Sequence, residues 1–317
     1  MEFHSIGQSD LRVARLAFGG NVFGWTVDQT TSFQLLDAFV DAGFNLIDTA
    51  DSYSRWVPGH QGGESESIIG RWIARRGRHD DVVIATKVGS DMGLGKRCLR
   101  RSYIFDAVEQ SLRRLQVDAI DLYQSHWDDP DTPFEETLGA YADLIRQGKV
   151  KAIGASNLTA ERLAEALATS RGHGLPAYAT LQPLYNLYDR DAFEGPLAKL
   201  CIDEGIGVIS YYSLAAGFLT GKYRAEADYG KSPRGANMKK YLNPRGHRIL
   251  AALDEVAMRL SATPVQVALA WLVAQPGVTA PIASATSVAQ LDELITGMRL
   301  VLDADALQML RAASAFG

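Results

Sequence analysis

Asn45-Leu-Ile-Asp-Thr-Ala-Asp-Ser-Tyr53 is followed by a stretch of helical period, Ser65–Arg75, and then by Val82-Val-Ile-Ala-Thr-Lys87. Two short apolar runs ending in polar residues thus flank one helix, the strand–helix–strand unit of a parallel sheet. The same alternation extends in both directions. Candidate strands lie at Arg15–Gly19, Asn45–Thr49, Val82–Lys87, Leu122–His126, Val150–Ser156, Ala179–Pro183, Gly207–Tyr211 and Thr279–Ala283. Helical patterns fall at Thr30–Ala42, Ser65–Arg75, Tyr103–Leu115, Pro133–Gln147, Thr159–Ala168, Phe193–Asp203, Ile249–Leu260, Pro264–Val273 and Ser287–Thr296. Turn signals at Gly7 to Asp10 imply a small hairpin before the first strand, and Ala304–Ala313 reads as an extra C-terminal helix. Thr159, and Thr263 before Pro264, are helix-start signals.

Eight strands alternating with helices predict an α/β fold, a single (β/α)8 TIM barrel over residues 1–317. An open doubly wound sheet is the competing arrangement, but its phosphate fingerprint is missing. Ala17-Phe-Gly-Gly-Asn21 has two glycines and then diverges from Gly-x-Gly-x-x-Gly. The glycine cluster from Gly89 to Lys96 fails as a P-loop, because Gly89 and Gly95 have the wrong spacing and Arg97 stands where Ser or Thr is needed.

Composition narrows the function classes. The chain has 317 residues, 47% of them apolar, enough for a large core. Its 32 Lys and Arg against 37 Asp and Glu leave a net charge of −5, which gives no support to a nucleic-acid or anionic-membrane partner. Two distant cysteines, Cys98 and Cys201, argue against a disulfide framework and for a reducing compartment. With no secretory pattern at the N-terminus and no apolar run beyond Val267–Ala274, the expectation is a cytoplasmic protein. The six histidines show no metal-ligand spacing, so no metal is expected.

In a parallel barrel, reactive side chains sit at the carboxyl ends of the strands. There Asp48, Tyr53, Lys87 and His126 converge from three adjacent strands. Taken singly each has a structural explanation: a capping aspartate, a packed tyrosine, a surface lysine, a satisfied histidine. Taken together, in this order and each at a strand end, they resemble the catalytic tetrad of the aldo-keto reductases, and the likeness covers nearly the whole chain. It implies a carbonyl–alcohol oxidoreductase in which Tyr53 is proton donor in reduction and base in oxidation. Lys87 would stabilise the phenolate, Asp48 would hold Lys87, and His126 would polarise and orient the carbonyl.

The same resemblance implies cofactor-binding residues. Ser156, Asn157 and Gln182 would take the nicotinamide carboxamide, and Tyr211 would stack on the ring. Leu214 and Gly217 lie in the segment that wraps the pyrophosphate, where Tyr212 and Ser213 depart from the usual Ser-Pro. Ser284, Thr286, Gln290 and Glu293 fall in the stretch that holds the adenosine end at a helix N-terminus. No Lys or Arg stands there to pair a 2′-phosphate, so NADPH is favoured from the family while NADH stays open.

Asn21, Phe23, Trp25, Arg55, Trp56 and Trp127 are expected to form a mostly aromatic funnel for a small carbonyl or alcohol substrate. The connection Lys222–Arg248 is open to two readings, a flap over the cofactor or a solvated loop. Neither substrate identity nor monomer against homo-oligomer follows from these residues. Two rival functions remain: a redox-sensing regulatory subunit on the same scaffold, as in potassium-channel β subunits, and a Schiff-base aldolase using Lys87.

Overall fold

The computed structural model describes residues 2–316. Strands β1 (His4–Ser5) and β2 (Arg12–Val13) form an antiparallel hairpin. The barrel strands follow: β3 (Ala17–Gly19), β4 (Leu46–Asp48), β5 (Val83–Val88), β6 (Ile120–Ser125), β7 (Val150–Ser156), β8 (Thr180–Gln182), β9 (Gly207–Val208) and β10 (Ile282–Ala283). They pair in parallel in chain order, with β10 returning to β3. The ring closes where Thr279 N donates to Val208 O and Ile282 N to Ser210 O, both at 2.8 Å. This is the (β/α)8 barrel read from the alternation, with its N-terminal hairpin.

Around the barrel stand α1 (Gln29–Asp41), α2 (Glu64–Arg76), α3 (Arg101–Leu115), α4 (Phe134–Arg146), α5 (Ala160–His173), α6 (Pro196–Asp203), α7 (Pro244–Arg259), α8 (Pro264–Val273) and α9 (Val288–Gly297), with α10 (Ala304–Ala313) last. Local chemistry sets their ends. Thr263 and Gln266 bond reciprocally at the start of α8, with Pro264 in its first turn. Helix α7 begins five residues before the expected Ile249, because Asn243 caps it by accepting from Gly246 N and Pro244 needs no donor there. Helix α5 runs past Ala168 to His173 and stops at left-handed Gly174.

The pleat decides which side chains face the lumen. Leu46, Val83, Ala85, Leu122, Ala152, Ile209 and Ile282 form an interior apolar cluster, and Ile6, Leu11 and Val13 of the hairpin region plug its lower end. Gly7 sits so close to the strands that a Cβ there would lie 2.0 Å from Ala179 O. With that end closed, the opposite, carboxyl end carries the polar lumen residues. Among the described residues no single helix is long and apolar enough to cross a membrane.

The Lys222–Arg248 connection is more ordered than a plain solvated loop. Two short 3-10 turns, Glu226–Lys231 and Gly235–Lys240, precede α7. Tyr223, Met238 and Tyr241 are buried, Tyr241 Oη donates to Asp189 Oδ2 at 3.0 Å, and Tyr188 Oη donates to Lys240 O at 3.1 Å.

Candidate active site

Alternation delivers the polar cluster. Continuing the inward positions past the apolar layer gives Asp48 on β4, Lys87 on β5, Gln124 on β6 with His126 just beyond it, Ser156 on β7 and Gln182 on β8. Tyr53 comes from the loop after β4. That loop is pinned by the Glu64 carboxylate, which accepts from Ser54 N at 3.1 Å, Gln61 N at 2.9 Å and Gly62 N at 3.0 Å.

Lys87 is fully buried, and three acceptors take up its ammonium donors. They are Asp48 Oδ2 at 2.7 Å, Thr49 O at 2.7 Å and Tyr53 Oη at 3.2 Å. Asp48 Oδ1 accepts from Gln182 Nε2 at 2.8 Å. The Tyr53 and His126 rings meet edge to face at 5.9 Å, and Ser90 Oγ lies 2.9 Å from His126 Nδ1. All four tetrad positions are therefore in one cluster.

Burial shifts these groups against their neighbours' charges. It pulls Lys87 down, but Asp48 and the Tyr53 oxygen outweigh it, and the ammonium ends above its ordinary range. Burial pushes the Tyr53 phenol up, and Lys87 opposes this without cancelling it. His126 is held well below the usual imidazole range, first by burial and then by Lys87 and Arg97. The cluster thus holds a charged lysine, a protonated phenol and a neutral imidazole at neutral pH.

Beside the tetrad, Asn157 donates to His126 O at 2.9 Å and to Ser156 Oγ at 3.0 Å, and accepts from Tyr211 Oη at 2.8 Å. Ser156 is fully buried and donates to Gln182 O at 2.7 Å. Its hydroxyl is spent inside the protein, so it supports Asn157 and Gln182 from below. Leu214 and Gly217 lie in a tight turn where Tyr212, Ala215, Ala216 and Gly217 all have positive φ. At the α9 N-terminus, Gln290 Oε1 accepts from Thr286 N at 2.9 Å and Thr286 Oγ1 at 3.0 Å, while Ser287 caps the helix. Glu293 lies one turn on, half-buried. Ser284 donates to Gly19 O at 2.7 Å and meets Asn21, linking the last barrel strand to the first.

Residues 15–315 match the family model described as the aldo/keto reductase family. The chain belongs to the aldo/keto reductase family. It is 36% identical to an uncharacterized oxidoreductase, YrpG, of Bacillus subtilis, over 98% of this chain and 95% of that protein. It is equally similar, at 36% over 95% and 90% of the two chains, to the aldo-keto reductase YhdN of the same organism. A probable voltage-gated potassium channel subunit beta of Arabidopsis thaliana is 32% identical over 92% and 90%.

In this aldo/keto reductase the expected funnel is only partly what the aromatic residues suggested. Phe23 is fully buried and stacks on Phe18 at 5.3 Å, so it is core and lines no surface. It is the extended residue that ends the 3-10 turn Gly20–Val22, and the chain path there turns it inward, a direction no local pattern announces. The other rings form a belt: Trp25 meets Trp56 at 5.6 Å, Trp56 meets Tyr53 at 5.6 Å, and Trp127 stacks beside His126 at 5.8 Å. Arg55 is exposed and donates to Asp91 O.

Two cations reach the site from loops and not from the strand ends that the sequence marks. Arg97 lies over the Trp127 ring at 4.2 Å. Arg234, from the Lys222–Arg248 connection, lies 5.3 Å from the Trp25 ring and reaches the Asn21 amide oxygen at 2.6 Å once that amide is turned to satisfy its neighbours. A basic residue in a long connection has no periodicity to mark where its head group lands.

Proposed function

We propose that the chain is an NAD(P)H-dependent oxidoreductase that interconverts aldehydes or ketones and alcohols. The observation that carries this is the hydrogen-bonded array Asp48–Lys87–Tyr53 beside a neutral His126, at the open end of the barrel.

The residues around the array suit a dinucleotide. Gln182, with its Nε2 on Asp48, retains its Oε1 as an acceptor, and the buried Gln124 Nε2 beside it has no protein partner among the described residues. Asn157, Gln182 and Tyr211 would hold the nicotinamide end, the left-handed turn with Leu214 and Gly217 the pyrophosphate, and Ser284, Thr286, Gln290 and Glu293 the adenosine. When bound, the cofactor supplies the hydride. The chain's own residues then handle the oxygen. His126, if Ser90 donates to its Nδ1, carries its proton on Nε2 and offers that hydrogen to the carbonyl oxygen. Tyr53 transfers its phenolic proton to the nascent alkoxide, and Lys87 stabilises the phenolate left behind. In alcohol oxidation the proton runs back to Tyr53. NADPH is the favoured cofactor, although neutral Ser, Thr and Gln at the α9 start keep NADH open.

Of the rival readings, the aldolase is disfavoured by Lys87 itself. A Schiff-base nucleophile needs a free amine lone pair, whereas this ammonium donates to three acceptors and Asp48 favours its charged form. A regulatory subunit draws support from the channel β relatives. Titration with NADPH and NADH by tryptophan fluorescence, followed by cofactor consumption over an aldehyde and ketone panel, separates these readings. Tight binding with turnover supports the reductase. Tight binding without turnover moves the reading to a sensor, and binding of neither cofactor removes both.

A further inference from the structure

The mouth of the site carries a positive charge that no protein carboxylate balances. Arg97 sits in the loop between β5 and α3, with its guanidinium over the face of Trp127. Among the described residues no carboxylate lies within ion-pair distance of it, and the acidic groups nearby are committed elsewhere. Asp128 pairs with Arg162 at 2.7 Å, and Asp131 with Lys96 at 3.5 Å. Asp129 turns inward to Leu99 N at 2.8 Å and Thr132 Oγ1 at 2.7 Å. Asp91 closes its own loop by accepting from Gly93 N at 2.9 Å and Gly95 N at 3.0 Å.

The ring contacts also bound how far this charge stands from the chemistry. The guanidinium is 4.2 Å from the Trp127 ring, which is 5.8 Å from the His126 ring, which is 5.9 Å from the Tyr53 ring. Arg97 therefore stands no farther from a carbonyl held between Tyr53 and His126 than one small ring or a short chain can reach. A guanidinium there presents a planar fork of donors suited to a carboxylate or phosphate, and stacking on the indole limits its rotation.

Resting on the reductase reading, we propose that Arg97 selects carbonyl substrates bearing an anionic group, a carboxylate or phosphate, about one ring's length from the carbonyl. Trp127 is its positioning residue. In such a substrate the hydride goes to the carbonyl carbon and the Tyr53 proton to its oxygen, while the anionic end is unchanged. Arg97 supplies binding and orientation, and no chemistry.

The test compares 4-carboxybenzaldehyde with uncharged 4-methylbenzaldehyde. In wild type, kcat/KM should favour the carboxylated aldehyde, and Arg97→Leu should lower that preference by about 10-fold to 100-fold, the usual worth of one charge-assisted contact. Arg97→Lys, which keeps the charge but loses the fork and the stacking, should fall between. A parallel binding measurement uses terephthalate, which cannot be reduced, and follows tryptophan quenching. Terephthalate should bind wild type in a salt-sensitive manner and bind Arg97→Leu at least 10-fold more weakly. If the protein reduces neither aldehyde but binds terephthalate through Arg97, the reductase reading fails and the anion site stands. An unaltered preference together with unaltered terephthalate affinity in Arg97→Leu overturns the proposal.

Discussion

Replacing Lys87 with Met tests the centre of the site in stability and in chemistry at once. The wild-type ammonium is fully buried and satisfies three acceptors, one of them the Asp48 carboxylate at 2.7 Å. Met fills much of the same volume but removes the charge and every donor. Asp48 would keep only its contact from Gln182, while Thr49 O and Tyr53 Oη would lose a partner. Breaking a buried pair from one side costs about 3–5 kcal/mol, because the remaining charge stays in a poorly solvating interior. In a chain of 317 residues each kcal/mol lowers the thermal midpoint by about 1.5 °C, so a fall of about 4–8 °C is expected. The double variant Asp48→Asn/Lys87→Met removes the stranded charge and should recover a large part of that loss. Neither variant should reduce carbonyls well, since the phenol would lose the cation that stabilises its ionised form. Thermal or urea unfolding of wild type, the single and the double variant gives the measurement, with turnover recorded on the same preparations. A single variant as stable as wild type, or a double variant no better than the single, would refute the picture of a buried charged pair.

Tyr53→Phe should lower turnover by about 10²-fold to 10⁴-fold, the range for a general acid, while the cofactor dissociation constant stays close to wild type; a near-normal rate would discard the proton-donor role. Asp51, buried with an unpartnered Oδ1 and pushed up to about 8 by burial and then by Glu66, makes the folded state bind a proton that the unfolded chain releases near 3.8. Stability from this group is full below about pH 4 and declines as pH rises through about 8, a change on the order of 4 kcal/mol by pH 7 at 1.36 kcal/mol per unit. Asp51→Asn should therefore gain stability over wild type at pH 8 far more than at pH 4, and equal differences at both pH values would contradict the assignment. Gln290→Arg should release Thr286 N and place a cation at the α9 start, improving the NADPH/NADH dissociation ratio about tenfold, and an unmoved ratio would misplace the adenosine end.

Much of this protein is legible in its residues because the relevant signals are local. Period-2 runs ending in Asp48, Lys87 and His126, separated by helical stretches with starts such as Thr263–Pro264, specify strands, helices and the end of the barrel that carries chemistry, although the start of α7 at Pro244 is not among them. Alternation places those residues on the lumen side, so strand order is enough to bring them together. Other features depend on chain segments distant in sequence, and the packed barrel alone decides them. Phe23 became core because its turn faces inward. The phenol of Tyr53 sits higher than Lys87 alone would leave it, since desolvation grows with everything packed around it. Gln182 reached Asp48 across 134 positions. Arg97 and Arg234 came to the mouth on loops whose residues carry no periodicity, and only the surrounding rings, Trp127 and Trp25, settle where two flexible side chains place their charge.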